Sequence, residues 1–238
     1  IGSELWSNDP GFSKDTKGIG VTGICGSGII EVIAEMYLAG ILSQDGVING
    51  NLAAKSKHII ADGRTFSYVL SNGQHIIHVT QNDIRAVQLA KAALYAGIRL
   101  LMERMEIETV DRIRLAGAFG SHIDVKYATV LGLIPDCDLE QVSSAGNAAG
   151  TGARIALLNY ESRQEIEEVV RQVEKVETAV EAKFQEHFVQ AMAFPHKVDS
   201  FPNLAKVIEL PAEIDMQNHA SSIQQRKIRR RRTSNKAL

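Results

Sequence analysis

Thr22-Gly-Ile-Cys-Gly-Ser-Gly28 decides how this chain is read, because turns of the same kind return twice. They are Leu115-Ala-Gly-Ala-Phe-Gly-Ser121 and Ser144-Ala-Gly-Asn-Ala-Ala-Gly-Thr-Gly152. Each sits where a helix is expected to open. The first turn of a helix leaves backbone N–H groups without carbonyl partners, with the positive end of the helix dipole behind them. Glycine lets such a turn bend to positive φ and lets a phosphate approach without meeting a Cβ. Glycine also serves plain helix–strand packing, and that alternative stands for each turn taken singly. Three together, with no metal-ligand spacing or nucleophile triad to compete, point to a nucleotide pocket.

Outward from the turns, composition sets the bounds. The chain has 238 residues, enough for one large domain or two small ones with a true core. Its 45% hydrophobic and 23% charged residues fit a globular protein rather than a disordered chain. No apolar run approaches the ~20 residues that span a bilayer, and no charged-then-apolar leader opens the sequence, so a cytoplasmic protein is expected. Ile1 is not an initiator, and the first twenty residues lack periodicity, so the chain reads as a segment of a longer protein. Cys25 and Cys137 are too few for a metal cluster and are expected to be reduced thiols. Cys25 stands at a helix start, where a thiol pKa falls, but it is read as a small packing residue. The net charge of −2 hides an asymmetry: Arg226 to Leu238 carries seven Lys/Arg and no acid, leaving −9 on the rest. An acidic body argues against a nucleic-acid-binding core. Only the tail, read as a solvated, disordered end, offers weak contact with nucleic acid or an acidic partner.

Periodicity places the elements. Ser27 to Leu42 reads as a helix ended by Gly40. Ser67 to Thr80 reads as a hairpin across Asn72-Gly73. Thr80-Gln-Asn-Asp83 is a capping box that starts the longest helix, Asp83 to Met105. Its apolar residues are read as a broad face packed on a sheet, with Leu101, Met102 and Met105 as core filler. Asp111 to Ala116 is a strand running into the second turn, and Asp124 is expected to cap a short helix from Val125 to Leu131. Asn147 to Leu158 is a small-residue helix, and Glu161 to Gln172 an amphipathic one. Val173 to Val180 alternates like an edge strand, Ala182 to Met192 is a further helix, and Pro202 and Pro211 mark an extended closing segment. His122 is read as a surface imidazole, and His75 and His78 as facing opposite sides of one strand.

Gly23-Ile-Cys-Gly-Ser-Gly-Ile-Ile30, Leu115-Ala-Gly-Ala-Phe-Gly-Ser-His-Ile-Asp124 and Gly146-Asn-Ala-Ala-Gly-Thr-Gly-Ala153, with Phe194-Pro-His196 and Phe201-Pro-Asn-Leu204, together resemble one known family. It is the C-terminal actin-like ATPase domain of reductive activators of corrinoid proteins, in the superfamily of sugar and acetate kinases, heat-shock chaperones and actin. The resemblance implies an α/β, ribonuclease H-like fold, a mixed sheet with helices on both faces. Residues 1–211 would form the C-terminal part of that domain, and 212–238 a basic tail. Gly23, Gly26, Ser27 and Gly28 would face phosphates, while Gly117, Ala118, Phe119 and Gly120 would form the adenosine turn. Asn147, Gly150 and Gly152 would lie on the second connecting helix. Ala118 departs from the paired glycines common at that turn.

The resemblance further implies ATP with Mg²⁺ as cofactor and a corrinoid protein or corrinoid methyltransferase as partner, with a homodimer left open. The activity would be ATP-dependent return of cob(II)alamin to cob(I)alamin. An iron–sulfur cluster would belong to the longer protein and not to this chain, which has no cysteine set for it. The aspartate-bearing phosphate loops of the superfamily are absent from this sequence, so hydrolysis is expected of the intact protein and catalytic residues are not assigned here. Two alternatives remain at this point: an activator ATPase of an acyl-CoA dehydratase-type enzyme, and a non-catalytic partner-docking module.

Overall fold

A computed structural model describes residues 22–72, 76–178 and 180–211. The basic tail 212–238, the turn glycine Gly73 and His75 lie outside the described residues. Among the described residues the first helix, α1 (Gly26–Leu38), buries Ile30, Val32, Ile33, Met36 and Tyr37, and so is packed on more than one side. It ends on Gly40 at φ 68°, a left-handed position that costs glycine nothing.

Three strands follow, β1 (Ile59–Asp62), β2 (Thr65–Asn72) and β3 (Ile76–Thr80), in an antiparallel meander ordered β1-β2-β3. The expected hairpin is β2–β3, with Asn72 opposite Ile76. The partner strand β1 has only four residues, with just Ile59 buried, too short a signal to read from sequence.

Thr80 then caps α2 (Gln81–Arg104) by the expected reciprocal box. Its hydroxyl accepts from the Asp83 amide at 3.1 Å, and the Asp83 carboxylate accepts from the Thr80 amide at 2.8 Å. The buried face of α2 is not the apolar one read from sequence. Ile84, Ala92, Tyr95, Ala96, Leu100 and Met102 are buried, but so are Gln88 and Lys91, while Leu94, Leu101 and Met105 stand half-exposed or more. The core-filler reading therefore holds for Met102 alone. The main neighbour of α2 is a helix, α6 (Phe184–Gln190), rather than a sheet.

Beyond α2 the chain returns as β4 (Ile113–Ala116), α3 (Val125–Val130), β5 (Val142–Gly146) and α4 (Ala148–Leu158), then α5 (Tyr160–Gln172). β4 and β5 pair in parallel, Ile113 opposite Val142 and Leu115 opposite Ser144. Asp124 caps α3 as expected, its carboxylate accepting from the Tyr127 amide at 3.2 Å. Two expectations fail. Residues 173–177 form no strand, because the alternating valines find no neighbouring ladder. The closing segment is not wholly extended either: α7 (Pro202–Ala205) has Pro202 in its first turn, and the Asp136 carboxylate accepts from the Asn203 and Leu204 amides at 2.9 and 3.0 Å.

The main core joins α1, α2, the meander and the 191–204 strap around Ile33, Leu42, Val79, Ile84, Tyr95, Leu131, Phe194 and Leu204. A smaller cluster of Ala128, Ile134, Cys137 and Val142 lies under β4 and β5. Gly132 joins the two regions. At φ 69° it ends α3, and a Cβ there would fall 1.9 Å from the Pro195 carbonyl oxygen. Among the described residues, no helix is long and apolar enough to cross a membrane.

Candidate functional site

The parallel pair sets two of the turns side by side. β4 runs into Gly117 at φ 94° and β5 into Gly146 at φ 60°, backbone conformations that exclude most side chains. The Gly117 amide donates to the Gly146 carbonyl at 2.8 Å, and the Ser144 and Ser121 hydroxyls lie 3.2 Å apart. After Gly117 and Ala118 the chain folds into a 3-10 turn, Phe119–Ser121. Gly120 packs tightly there: a Cβ would lie 3.0 Å from the Leu115 side chain and 3.1 Å from its carbonyl carbon, so Leu115 would have to shift to admit it.

The third turn passes into α4 through Asn147, whose side-chain oxygen accepts from the Gly150 amide at 2.9 Å. Gly150 is small for the same reason: a Cβ there would lie 2.6 Å from the Asn147 amide nitrogen. Asn147 and Gly150 thus form one capping unit, and Gly152 faces open space.

The first turn is capped by sulfur. The Cys25 Sγ accepts from the Gly28 amide at 3.4 Å and lies 3.3 Å from the Ser27 hydroxyl. These contacts, the Ser27 hydroxyl first, hold the exposed Cys25 thiol below its ordinary pKa. Cys25 therefore serves as a cap and not as the packing residue read from sequence. Cys137 is the buried thiol, and burial pushes its pKa up.

The exposed Phe119 ring brings the first turn to the other two, lying 3.6 Å from the position of a Cβ on Gly26. The turns of Gly26–Gly28, Gly117–Gly120 and Gly146–Gly150 so converge on one wall. Neither α1 nor α4 carries an acidic residue in its first turn, which leaves both positive helix ends uncompensated. Gly23 is exposed, and a Cβ added to it would meet nothing within 4 Å, whereas Gly28 is buried in the first turn of α1. His122 is exposed beside the second turn. Among the described residues, no three His, Cys, Asp or Glu gather into a group able to hold a metal ion.

A cavity of about 950 Å³ opens elsewhere, between Asp45–Asn51, Arg64–Phe66, the start of α2 and Met192. No residue of the three turns lines it. A single wall encloses no volume, so the turns are recognised by their backbone chemistry rather than by concavity.

Sequence reading missed a buried polar ladder on α2. Gln88 donates to the carbonyls of Asp45 and Met192 at 3.0 and 2.8 Å. The Lys91 amine donates to the carbonyls of Ala193 and Pro195, and the Tyr95 hydroxyl to Asp199 at 2.8 Å. Burial lowers the Lys91 pKa to about 7. His196 Nδ1 accepts from the Asp199 amide at 2.8 Å, and burial holds its pKa down at about 4. The available signal was the spacing of 88, 91 and 95 on one helical face beside a Phe-Pro-His segment.

Comparison with known proteins agrees with this architecture. The family model described as "C-terminal domain of RACo the ASKHA domain" matches residues 5–205. The corrinoid activation enzyme RamQ of Eubacterium limosum is 38% identical over 189 residues, covering 74% of this chain and 32% of that protein. A solved structure of a reductive activator for corrinoid, iron-sulfur protein superposes with a TM-score of 0.64 at 34% identity, covering 73% of this chain and 28% of that one. The chain spans about a third of the length of the relatives it matches. Its glycine turns, its α/β architecture and these matches place it in one group: the chain belongs to the family of the C-terminal, ASKHA domain of corrinoid reductive activators.

Proposed function

We propose that the three turns form one wall of an ATP site in a reductive activator of a corrinoid protein or corrinoid methyltransferase. The convergence of the turns through the Gly117–Gly146 hydrogen bond and the Phe119–Gly26 contact carries this reading. Gly23, Gly26, Ser27 and Gly28 form the turn that meets the phosphates, where the start of α1 and its uncompensated dipole favour negative charge. Gly117, Ala118, Phe119 and Gly120 flank the adenosine, the exposed ring offering a stacking face. Asn147, Gly150 and Gly152 start the connecting helix, where the capping unit fixes the direction of α4. Mg²⁺ accompanies the nucleotide, held by acidic residues outside this chain.

A reduced iron–sulfur cluster, held by cysteines outside this chain, would supply the one electron that takes the partner's Co(II) to Co(I), and the residues of this chain would hold the nucleotide. ATP contributes no electron; its binding and hydrolysis favour the arrangement of activator and partner in which transfer occurs. The protein acts in the cytoplasm.

The test is spectroscopic. The longer protein, a purified corrinoid partner and a strong reductant should show ATP-dependent replacement of the Co(II) absorption by that of Co(I). Gly26→Asp should abolish the ATP dependence while leaving the fold intact, since an acid at a helix start favours the helix but repels phosphate. Corrinoid reduction that ignores ATP, or a Gly26→Asp protein that responds to ATP as before, would refute the reading.

A further inference from the structure

The ends of β4 and β5 are joined by more than their ladder. Leu115 stands opposite Ser144 and Ala116 opposite Gly146, so Ala145 has no residue opposite it and bulges out of β5. Bulges are rare between parallel strands, and beside functional sites they re-aim side chains. Here the Ser144 hydroxyl lies between the two turns. It accepts from the Gly146 amide at 3.1 Å and donates to the Ser121 hydroxyl at 3.2 Å. Ser121 in turn donates to the Gly117 carbonyl at 3.1 Å, and the Gly117 amide donates to the Gly146 carbonyl at 2.8 Å. The four bonds close a ring through Gly117, Gly146, Ser144 and Ser121, in which each hydroxyl both accepts and donates.

We propose that Ser121 and Ser144 are positioning residues for the adenosine end of the nucleotide, a clasp that acts through the two turns it holds together. Ser121 closes the 3-10 turn that carries Phe119, and its amide reaches the Gly117 and Ala118 carbonyls, each at 3.2 Å. With its hydroxyl also tied to Gly117, the Phe119 ring and the Gly117–Gly120 backbone keep one direction. On the other side of the ring, Gly146 leads directly into Asn147, the cap of α4. The clasp therefore sets the adenosine turn against the start of the connecting helix.

Two physical arguments assign the ring to binding rather than to folding. Gly117 and Gly146 stand at φ 94° and 60°, and glycine loses more backbone freedom on ordering than any other residue. A ring that orders both before the ligand arrives lowers the cost of binding. Both serines are exposed, where water competes for their hydroxyls, so the same bonds contribute little to stability. No residue of the first turn belongs to the ring. Its loss should therefore be felt by the adenosine and not by the phosphates.

This rests on the ATP reading above. Titration calorimetry on the longer protein tests it, with ATP and with inorganic tripolyphosphate, which lacks the adenosine. Ser121→Ala and Ser144→Ala should each weaken ATP binding by about fivefold and leave tripolyphosphate binding unchanged. The double variant should bind ATP no more weakly than either single one, because one gap already opens the ring. Ser144→Thr keeps the hydroxyl and should bind ATP as the wild type does. All four variants should melt at the wild-type temperature. Single variants that bind ATP normally, losses that multiply in the double variant, or a Ser144→Thr protein as weak as Ser144→Ala overturn the clasp and leave the ATP reading standing. An equal loss for tripolyphosphate, or a lowered melting temperature, makes the serines structural and overturns it equally. A wild type that does not bind ATP refutes the ATP reading itself, and the clasp with it.

Discussion

The unit around α2 and the wall of turns follow opposite rules. Around α2, the meander, α1 and the 191–204 strap share one large core, in which Gln88, Lys91 and Tyr95 find hydrogen-bond partners. In the wall, four buried side chains lie beneath β4 and β5, and α4 and α5 bury no residue at all. The wall keeps backbone amides and two helix starts facing outward, the groups that recognise an anion and gain nothing from being covered by their own chain. Stability is therefore concentrated in the α2 unit and recognition in the wall, with Gly132 as the joint.

Breaking the joint should have the largest effect. Gly132→Val forces a branched side chain into a left-handed position and into the Pro195 carbonyl. The expected loss is about 4 kcal/mol, seen in urea unfolding, and it should fall on both regions together. Unfolding of one region alone would show that the joint is not shared.

Next comes the ladder. Lys91→Ala leaves the Ala193 and Pro195 carbonyls without their donor and opens a cavity beside Phe194. The expected loss is about 3 kcal/mol by calorimetric melting, confined to the α2 unit. Lys91→Met, which fills the space, should recover part of it.

A comparable loss should appear on acidification. The folded pKa of His196, about 4, lies below the ordinary value of 6.5, so the unfolded chain binds the extra proton first. Its contribution is present above pH 6.5 and is lost as pH falls through 4, at most about 3 kcal/mol. His196→Asn keeps an acceptor for the Val198 and Asp199 amides but cannot titrate, and it should flatten the stability profile over that window.

The smallest effect belongs to the wall. Asn147→Ala removes the cap on Gly150 and should cost about 1 kcal/mol, measured as a shift in the urea midpoint.

What the sequence revealed follows the same division. Features set by neighbouring residues were legible: the Thr80–Asp83 box, the Asp124 cap, the stop at Gly40 and the three turns, whose chemistry is local. Features set by distant residues were not. β1 and β5 are short and become strands only because β2 and β4 lie beside them, whereas the alternating valines after Val173 have no such neighbour and stay irregular. Nothing local marks Gln88, Lys91 and Tyr95 as buried, because the Met192 and Pro195 carbonyls and the Asp199 carboxylate that pair with them arrive about a hundred residues later. Leu94, Leu101 and Met105 read as core because they are apolar. Their exposure appears only once the packing is known.

The most direct measurement is an amide-resolved NMR titration of the chain with ATP, because it sets the wall against the cavity within one experiment. Shifts should gather at Gly23–Gly28, Gly117–Ser121 and Gly146–Gly152, and the cavity around Arg64, Phe66 and Arg85 should stay silent. Shifts confined to that cavity, or none at saturating ATP, would contradict the account.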